Sequence, residues 1–318
     1  MLIDAHHHLW SQGLLSHDPV YMAGEYLADV AGVGLSASVF VECLTHYDEN
    51  LPPPLRSTGE TRFAAEVGAR FADGPVRLCA AIVAYADPLA DMPFATILDA
   101  HLAAGGGRLR AIRRCAAWDS DPALVYPTLA TSGGMLDDPR FVAALHALAE
   151  RGLAFETWVY HPQVREVAAL ARAVPDCPVI LDHAGTPMAV GRHADIPATI
   201  ALWREEIARA AEVPSLHVKI GGFATLGTAV DAVRVARGLE RWTAPALAEA
   251  LSPFLDHLLA CFGPERCLFE SNFPVDRDAC DYATLWQAYR GALSGLDAAA
   301  TAAVFGGNAA RLYGITGG

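Results

Sequence analysis

Residues 2–10 read Leu-Ile-Asp-Ala-His-His-His-Leu-Trp, a short apolar run that ends in three histidines. Seven similar runs, rich in apolar and β-branched residues, follow it along the chain. The eight runs cover residues 2–5, 37–43, 76–83, 109–113, 154–160, 178–181, 216–220 and 267–269. Helical periodicity fills most of the intervening segments, as at 141–153 and 199–211. The sequence therefore alternates predicted strands with predicted helices.

This alternation predicts a parallel sheet with helices packed outside it. A length of 318 residues suggests two domains by the usual prior, but α/β barrels of this size form one domain. Eight units favour a closed barrel, in which no strand lies at an edge and every strand can be apolar. We find no glycine-rich nucleotide-binding motif after any of the runs. We therefore predict an α/β fold, a single (β/α)8 TIM barrel domain over residues 1–318.

Composition excludes several classes of protein. With 53% hydrophobic and 19% charged residues, the chain is not intrinsically disordered. A net charge of −13 argues against nucleic acids and anionic membranes as partners. The first residues do not resemble a signal peptide, and no apolar run approaches about 20 residues, the length of a membrane span. Seven scattered cysteines favour a reducing compartment, so we expect a cytoplasmic protein.

The polar residues at the strand ends indicate where the chemistry lies, because the C-terminal strand ends form the active site of such barrels. Side chains two apart in an extended segment point the same way, so we expect His6 and His8 to converge. Such a pair can chelate a divalent metal through neutral imidazoles. The alternative is that they are hydrogen-bonded loop histidines. His183 follows the sixth run and should face the same mouth.

Two further strand ends carry candidates. On the fifth run we expect Glu156, Trp158 and Tyr160 to share one face, and a buried glutamate must be paired or bind a metal. His161 comes next, either as a ligand or as a polar helix entry. On the eighth run, Glu270 and a residue two positions later point the same way if the strand continues that far.

Basic residues near the strand ends could bind an anionic group of a substrate. Arg113 and Arg114 end the fourth run, and Lys219 lies in the seventh. Arginine binds carboxylate or phosphate groups through two parallel hydrogen bonds. Lys219 could instead extend along apolar surface to reach solvent. Glu42, at the end of the second run, adds an acid or a hydrogen-bond acceptor.

Several motifs together resemble a known family. Residues 4–10 match the D-x-H-x-H-x-W opening of the amidohydrolase-related barrel proteins, in the branch that includes fuconolactonase-like and pyrone-dicarboxylate lactonase-like enzymes. The blocks at 112–113, 181–187, 218–222, 270–274 and 308–313 are similar to later blocks of that family, in the same order. The resemblance covers essentially the whole chain.

The resemblance implies a metal-dependent or metal-derived hydrolase, with small lactones as substrates, although some members of this branch work without metal. It identifies His6 and His8 as the strand 1 histidines, His183 as the strand 6 histidine and Arg113 as the arginine that meets substrate. The family pattern Ser-Asp-Trp-Pro is here Ser-Asn-Phe-Pro, at residues 271–274. An amide cannot accept the proton, so Glu270 or Asp276 must act as the base, or the mechanism differs.

We therefore expect hydrolysis of a small anionic or sugar-derived lactone with a divalent metal, zinc being the favoured ion. The alternatives are a non-oxidative decarboxylase on the same barrel and a catalytically inactive barrel. A homodimer is expected only as the commonest oligomer. The candidate catalytic residues are His183, Glu270, Asn272 and Asp276. The candidate substrate-binding residues are Trp10, Glu42, Arg113, Arg114, Trp158, Tyr160 and Lys219. The candidate metal ligands are His6, His8, Glu156, His161 and His183.

Overall fold

Eight parallel strands follow one another in chain order around one sheet in the computed structural model of the protein, which describes residues 1–12 and 20–316. The strands are β1 (Ile3–His7), β2 (Ala37–Val41), β3 (Arg77–Tyr85), β4 (Leu109–Arg113), β5 (Ala154–Thr157), β6 (Val179–Leu181), β7 (Leu216–Lys219) and β8 (Cys267–Leu268). Each of the eight predicted runs contains or overlaps one of these strands. The predicted (β/α)8 TIM barrel is confirmed.

Helices separate the successive strands. They are α1 (Ala23–Asp29), α2 (Thr58–Arg70), α3 (Phe94–Ala104), α4 (Pro139–Ala149), α5 (Val164–Ala173), α6 (Ile196–Ala211), α7 (Ala229–Ala236), α8 (Ala244–Phe262), α9 (Tyr282–Ala292), α10 (Ala298–Ala302) and α11 (Asn308–Leu312). Among the helices of the described segments, we find none with both the length and the apolar character needed to cross a membrane.

Two of these helices show how the sequence sets their first turns. Helix α4 begins with a proline, and the carboxylate of Asp138 accepts a hydrogen bond from the backbone N–H of Arg140 at 2.9 Å. Asp195 caps α6 in the same way, accepting from Ala198 N at 3.1 Å. The backbone N–H groups of a helix's first turn have no partner within the helix. An aspartate cap accepts a hydrogen bond from one of them, and proline has no N–H that needs an acceptor.

The barrel closes between β8 and β1, although β8 has only two residues. Backbone hydrogen bonds continue the contact beyond β8, from Ala5 N to Phe269 O at 3.1 Å and from Asn272 N to His6 O at 2.9 Å. Residues 269–272 therefore run alongside β1 and bring the end of the eighth strand next to the histidines of the first.

The buried carboxylate of Asp4 reinforces this closure. It accepts hydrogen bonds from Ser271 N at 2.8 Å and from Ser271 Oγ at 2.6 Å. The hydroxyl groups of Tyr26 in α1 and Tyr282 in α9 donate to the same carboxylate at 2.8 and 3.1 Å. One side chain of β1 thus joins the last strand end and two outer helices.

We expect Asp4→Ala to lower the free energy of unfolding by about 3 kcal/mol or more, because several buried donors lose their acceptor at once. Urea denaturation followed by circular dichroism measures this change. Asp73→Ala is the matched control, since Asp73 is exposed, and it should change the free energy of unfolding by less than about 0.5 kcal/mol. Equal stability of the two variants would contradict the role of Asp4 in closing the barrel.

Candidate active site

A layer of buried charged side chains lies directly above the apolar layer of the barrel interior. Ala111, Ala154, Ile180 and Leu268 belong to that apolar layer, which Tyr313 and Ile315 cover at its lower end. Two residues further along the same chain segments come Arg113, Glu156, Asp182 and Glu270, all buried. Because side chains alternate along extended backbone, these four point into the barrel on the side of the C-terminal strand ends.

Lys219 supplies a cation at the centre of this layer. Its Nζ lies 2.5 Å from Oε2 of Glu156, 3.1 Å from Oδ1 of Asp182 and 3.3 Å from Nδ1 of His6. Burial lowers the pKa of Lys219, but the carboxylates of Asp182 and Glu156 outweigh it, and the net pKa is raised. Burial raises the pKa of Glu156 to about 7, against the lowering effect of Lys219. The ammonium group is therefore paired with buried carboxylates in the floor of the site.

Arg113 is also paired on both sides. Its Nε donates to Oε1 of Glu42 at 2.8 Å, and its NH2 group donates to the backbone oxygen of Glu42 at 2.7 Å. Its NH1 group donates to Oδ2 of Asp182 at 3.3 Å. Unlike Lys219, Arg113 lines the cavity above the charged layer, but its charge is already balanced by two carboxylates.

A bulge in β1 decides which of the three consecutive histidines enter the site. Asp4 pairs with Ser38 and His7 pairs with Phe40, so β1 contains one more residue than β2 over this stretch. The extra residue breaks the alternation of the strand. His6 then points into the barrel, and the ring of His7 packs outward against Ser38 Oγ, 2.9 Å from Nε2.

His6 and His8 converge as the sequence predicts. Their Nε2 atoms lie 3.2 Å apart, and Nδ1 of His8 donates to the backbone oxygen of Val41 at 2.8 Å. Burial, reinforced by Lys219, lowers the pKa of His6 to about 4, and burial lowers the pKa of His8 well below its ordinary value. Both rings are therefore neutral near pH 7, as metal ligands must be.

The donor set fits a divalent metal. Two Nε2 atoms about 2.0–2.1 Å from one ion would be separated by little more than the 3.2 Å found here. Nδ1 of His8 is held by a carbonyl oxygen, which is how metal-ligating histidines are commonly oriented. Ligand atoms of His6, His183 and Glu270 also lie within 4.8 Å of one another. His6 thus belongs to both groups of candidate ligands.

Two proton arrangements are compatible with these distances. Nδ1 of His6 lies 3.0 Å from Oε2 of Glu270. If this nitrogen carries a proton for Glu270, both Nε2 atoms present lone pairs, which a metal ion between them would satisfy; the NH1 group of Arg113, 3.4 Å from Nε2 of His6, is a second donor there. If Lys219 donates to Nδ1 instead, Nε2 of His6 carries the proton and donates to His8 without any ion. The metal content of the protein distinguishes these arrangements.

His183 and Glu270 form a pair at the wall of the cavity. Oε1 of Glu270 accepts from Nδ1 of His183 at 2.8 Å and from the backbone N–H of Gly221 at 3.1 Å. Burial alone would lower the pKa of His183, but Glu270 outweighs it and raises that pKa. His183 in turn holds the pKa of Glu270 below its ordinary value, against the effect of burial. A Cβ on Gly222 would collide with the His183 ring, so the glycines at 221–222 allow this packing.

The structure changes the prediction for strand 8. Glu270 and Asn272 were expected to point the same way if the strand continued that far, and it does not: β8 ends at Leu268 and Asn272 has a left-handed backbone with φ of 57°. Asn272 lines the cavity, whereas Glu270 lies beneath it. Oδ1 of Asp276 accepts from Asn272 Nδ2 at 2.9 Å and from Thr225 Oγ1 at 2.7 Å. Burial raises the pKa of Asp276 to about 6.

A cavity of about 430 Å³ opens above these groups. Its predicted lining residues are His8, Glu42, Arg113, Trp158, His183 and Asn272. The walls also contain residues that the sequence reasoning missed: Cys43, Leu44, Cys115, Tyr126, Leu129, Thr186, Gly222, Thr225, Leu226, Val275 and Asp278. Most of these lie in the loops that follow the strands, where no periodicity marks their direction.

Other predicted residues lie away from the cavity. Glu156 and Tyr160 do not line it, whereas Trp158 does, so the expectation that these three residues present one face to the site is wrong; β5 ends at Thr157. The hydroxyl of Tyr160 donates to Leu124 O at 2.9 Å. His161 packs beside another loop histidine, His193, with ring centroids 4.7 Å apart.

Arg114 and Trp10 lie next to the cavity but do not line it. The guanidinium of Arg114 donates to Cys115 O at 2.7 Å and to Leu129 O at 3.0 Å, which ties down the loop after β4. Trp10 is buried and stacks on His8 with ring centroids 6.1 Å apart. Both residues are therefore placed to support groups that line the cavity.

The amidohydrolase family model matches residues 3–315, nearly the whole chain. The chain belongs to the amidohydrolase family. This confirms the resemblance that the sequence motifs indicate and makes the protein a member of a hydrolase family.

Two relatives and one solved structure are similar to this amidohydrolase. The uncharacterized protein y4mH of Sinorhizobium fredii is 27% identical, with 98% of each chain covered. The L-fucono-1,5-lactonase of Burkholderia multivorans is 31% identical over 57% of each chain. An amidohydrolase from Burkholderia multivorans, solved with bound zinc, has a TM-score of 0.76 at 24% identity, covering 99% of this chain and 100% of that one. The last comparison shows the shared fold.

For this amidohydrolase we expect Lys219→Met to lower the free energy of unfolding by about 3 kcal/mol or more, because it leaves the buried carboxylate of Glu156 without its cation. Adding Glu156→Gln to the same chain should restore part of this loss. Urea denaturation of the wild type and both variants measures the effect. A Lys219→Met protein of wild-type stability, altered only in its KM for an anionic substrate, would contradict the structural role given to Lys219.

Proposed function

We propose that the protein hydrolyses a small lactone at the cavity above His6 and His8. The observation that carries this proposal is the placement of His183, whose ring lines the cavity while its Nδ1 is held by Glu270. A carboxylate that orients an imidazole in this way fixes its tautomer and strengthens it as a base. The lactonase name of the Burkholderia multivorans relative supports the same reaction class.

His183 is the general base in this proposal. The sequence assigned that role to Glu270 or Asp276, but neither lines the cavity. Nε2 of His183 takes a proton from water as the water oxygen adds to the lactone carbonyl carbon. The ring C–O bond then breaks, and the same nitrogen returns the proton to the departing oxygen. The product is an open-chain hydroxy acid. The imidazole of His183 ends the turnover in the protonation state in which it began.

Glu270 has a positioning role for two imidazoles at once. Its Oε1 accepts from Nδ1 of His183, and its Oε2 lies 3.0 Å from Nδ1 of His6. His6 and His8 would hold a divalent ion, zinc being our choice, with neutral nitrogen donors. When bound there, the ion supplies polarisation of the lactone carbonyl and a lower pKa for an attacking water.

We expect His8→Ala to abolish turnover of a lactone substrate with little loss of folding, because it removes one of the two converging imidazoles. We also expect protein purified without chelators to contain about one zinc per chain, and His8→Ala to contain much less. Elemental analysis and lactone hydrolysis assays measure both effects. His146→Ala is the control, because His146 is exposed on α4.

The outcomes of these measurements separate the hypotheses. Wild-type turnover in His8→Ala would refute a role for the histidine pair. Full activity in zinc-free protein would support the arrangement in which His6 donates to His8 without an ion. Turnover of carboxylated aromatic compounds with release of carbon dioxide, and of no lactone, would favour the decarboxylase alternative.

We expect Glu270→Gln to lower kcat for lactone hydrolysis by about 10²-fold or more, because the amide no longer fixes the His183 tautomer. The value of KM should change much less, since Glu270 does not line the cavity. Steady-state kinetics give both parameters. Glu249→Gln, which changes an exposed ion pair with Arg237, should leave both unchanged, and a kcat within twofold of wild type for Glu270→Gln would overturn the assignment.

A further inference from the structure

We infer that the cavity selects an uncharged lactone that carries an apolar or aromatic substituent. This inference rests on the proposed lactone hydrolysis and names its substrate class. It replaces the anionic substrate expected from the basic residues Arg113, Arg114 and Lys219.

The first argument is that none of these cations is available to an anion. Arg113 binds Glu42 and Asp182, Lys219 is buried between Glu156 and Asp182, and Arg114 binds backbone carbonyls of its own loop. Within the part of the chain that the structure describes, the cavity wall contains no other lysine or arginine. Residues 13–19 contain neither residue type in their sequence.

The second argument is the charge that a ligand would meet. Glu42 lines the cavity, and its Oε2 is buried without a hydrogen-bond partner in the described structure. The chain as a whole carries a net charge of −13. An anionic substituent would face Oε2 of Glu42, and the cation beside it, Arg113, is already shared between Glu42 and Asp182. A hydroxyl donor would instead satisfy that oxygen.

The third argument is the character of the walls. The indole nitrogen of Trp158 donates to Thr186 Oγ1 at 2.8 Å, so the polar group of this side chain is already satisfied and what it adds to the cavity wall is apolar ring surface. Tyr126 lies against Trp158, with ring centroids 5.7 Å apart. Tyr126 and Leu226 are 41% and 48% exposed although both line the cavity. A bound apolar substituent would cover them, and burial of that surface would favour binding.

The size of the cavity agrees with a substituted ring. At about 30 Å³ per water in the liquid, the space of about 430 Å³ holds roughly fourteen waters. A bare five-membered lactone would leave most of this space unfilled. Those hydroxyl groups of a polyhydroxylated sugar lactone that lie against Leu44, Leu129, Leu226 and Val275 would lose water without gaining partners.

The test compares γ-lactones with the same ring and different substituents: phenyl, butyl, carboxylate and polyhydroxyalkyl. We expect kcat/KM for the phenyl and butyl compounds to exceed that for the carboxylate compound by at least about 30-fold, within the range set by apolar contacts. A higher kcat/KM for the carboxylate or polyhydroxyalkyl compound would overturn the inference.

A binding measurement tests this inference independently of the proposed function. If neither these γ-lactones nor the δ-lactones with the same substituents are hydrolysed, the proposed function fails. Calorimetric titration of the same compounds still reports which class the cavity binds. Tighter binding of the phenyl than of the carboxylate compound would then support the inference, and the reverse order would refute it.

Variants of one wall residue sharpen the test. We expect Leu226→Ala to lower kcat/KM for the phenyl lactone by about tenfold or more and to affect an unsubstituted γ-lactone much less. Leu226→Lys should raise kcat/KM for the carboxylate lactone, because it adds a cation with no partner at the wall. The control is Val235→Ala, since Val235 is 62% exposed on α7 outside the cavity. Equal effects of Leu226→Ala and Val235→Ala on the phenyl lactone would contradict the inference.

Discussion

The ion pairs of Lys219 fix the positions of the side chains that form the floor of the site. They belong to a chain of alternating charges that crosses the barrel in the order Glu156, Lys219, Asp182, Arg113 and Glu42. Each of these groups would be costly to bury alone, and each is stabilised by its oppositely charged neighbours in the chain. Because the five side chains come from different strand ends, their pairing fixes those ends relative to one another. The imidazoles of the site are therefore held on a rigid polar floor.

Much of the fold is present in the sequence, because a strand buried on both faces must be apolar and its period is simple. The convergence of His6 and His8 could be predicted for the same reason, although the bulge in β1 that turns His7 outward has no signal in the residues themselves. The errors lie where extended backbone ends sooner than the apolar run, at Thr157 and Leu268. Beyond those points the two-residue period no longer determines which way a side chain points.

The base assignment shows what sequence reasoning lacks. Asn272 stands where the family pattern has an aspartate, and this makes the nearby carboxylates of Glu270 and Asp276 the candidate bases. In the structure it is the ring of His183 that lines the cavity. The backbone of His183 is left-handed at φ of 52°, and its ring packs against Gly222. Neither feature could be read from the residues one at a time. The pairing of His183 with Glu270 becomes visible only when both strand ends are placed.

The same chain of charges also limits what the site can recognise. A cation can attract a substrate anion only if its own carboxylate partners leave part of its charge uncompensated. Arg113 shares its donors between Glu42 and Asp182, and breaking its pair with Glu42 to reach a ligand would leave that carboxylate without its cation. Recognition must then come from the loops, which add aromatic and aliphatic walls above the floor. Conserving the charge chain and changing the loops would alter substrate preference without disturbing the imidazoles, which is how one barrel can serve different substrates.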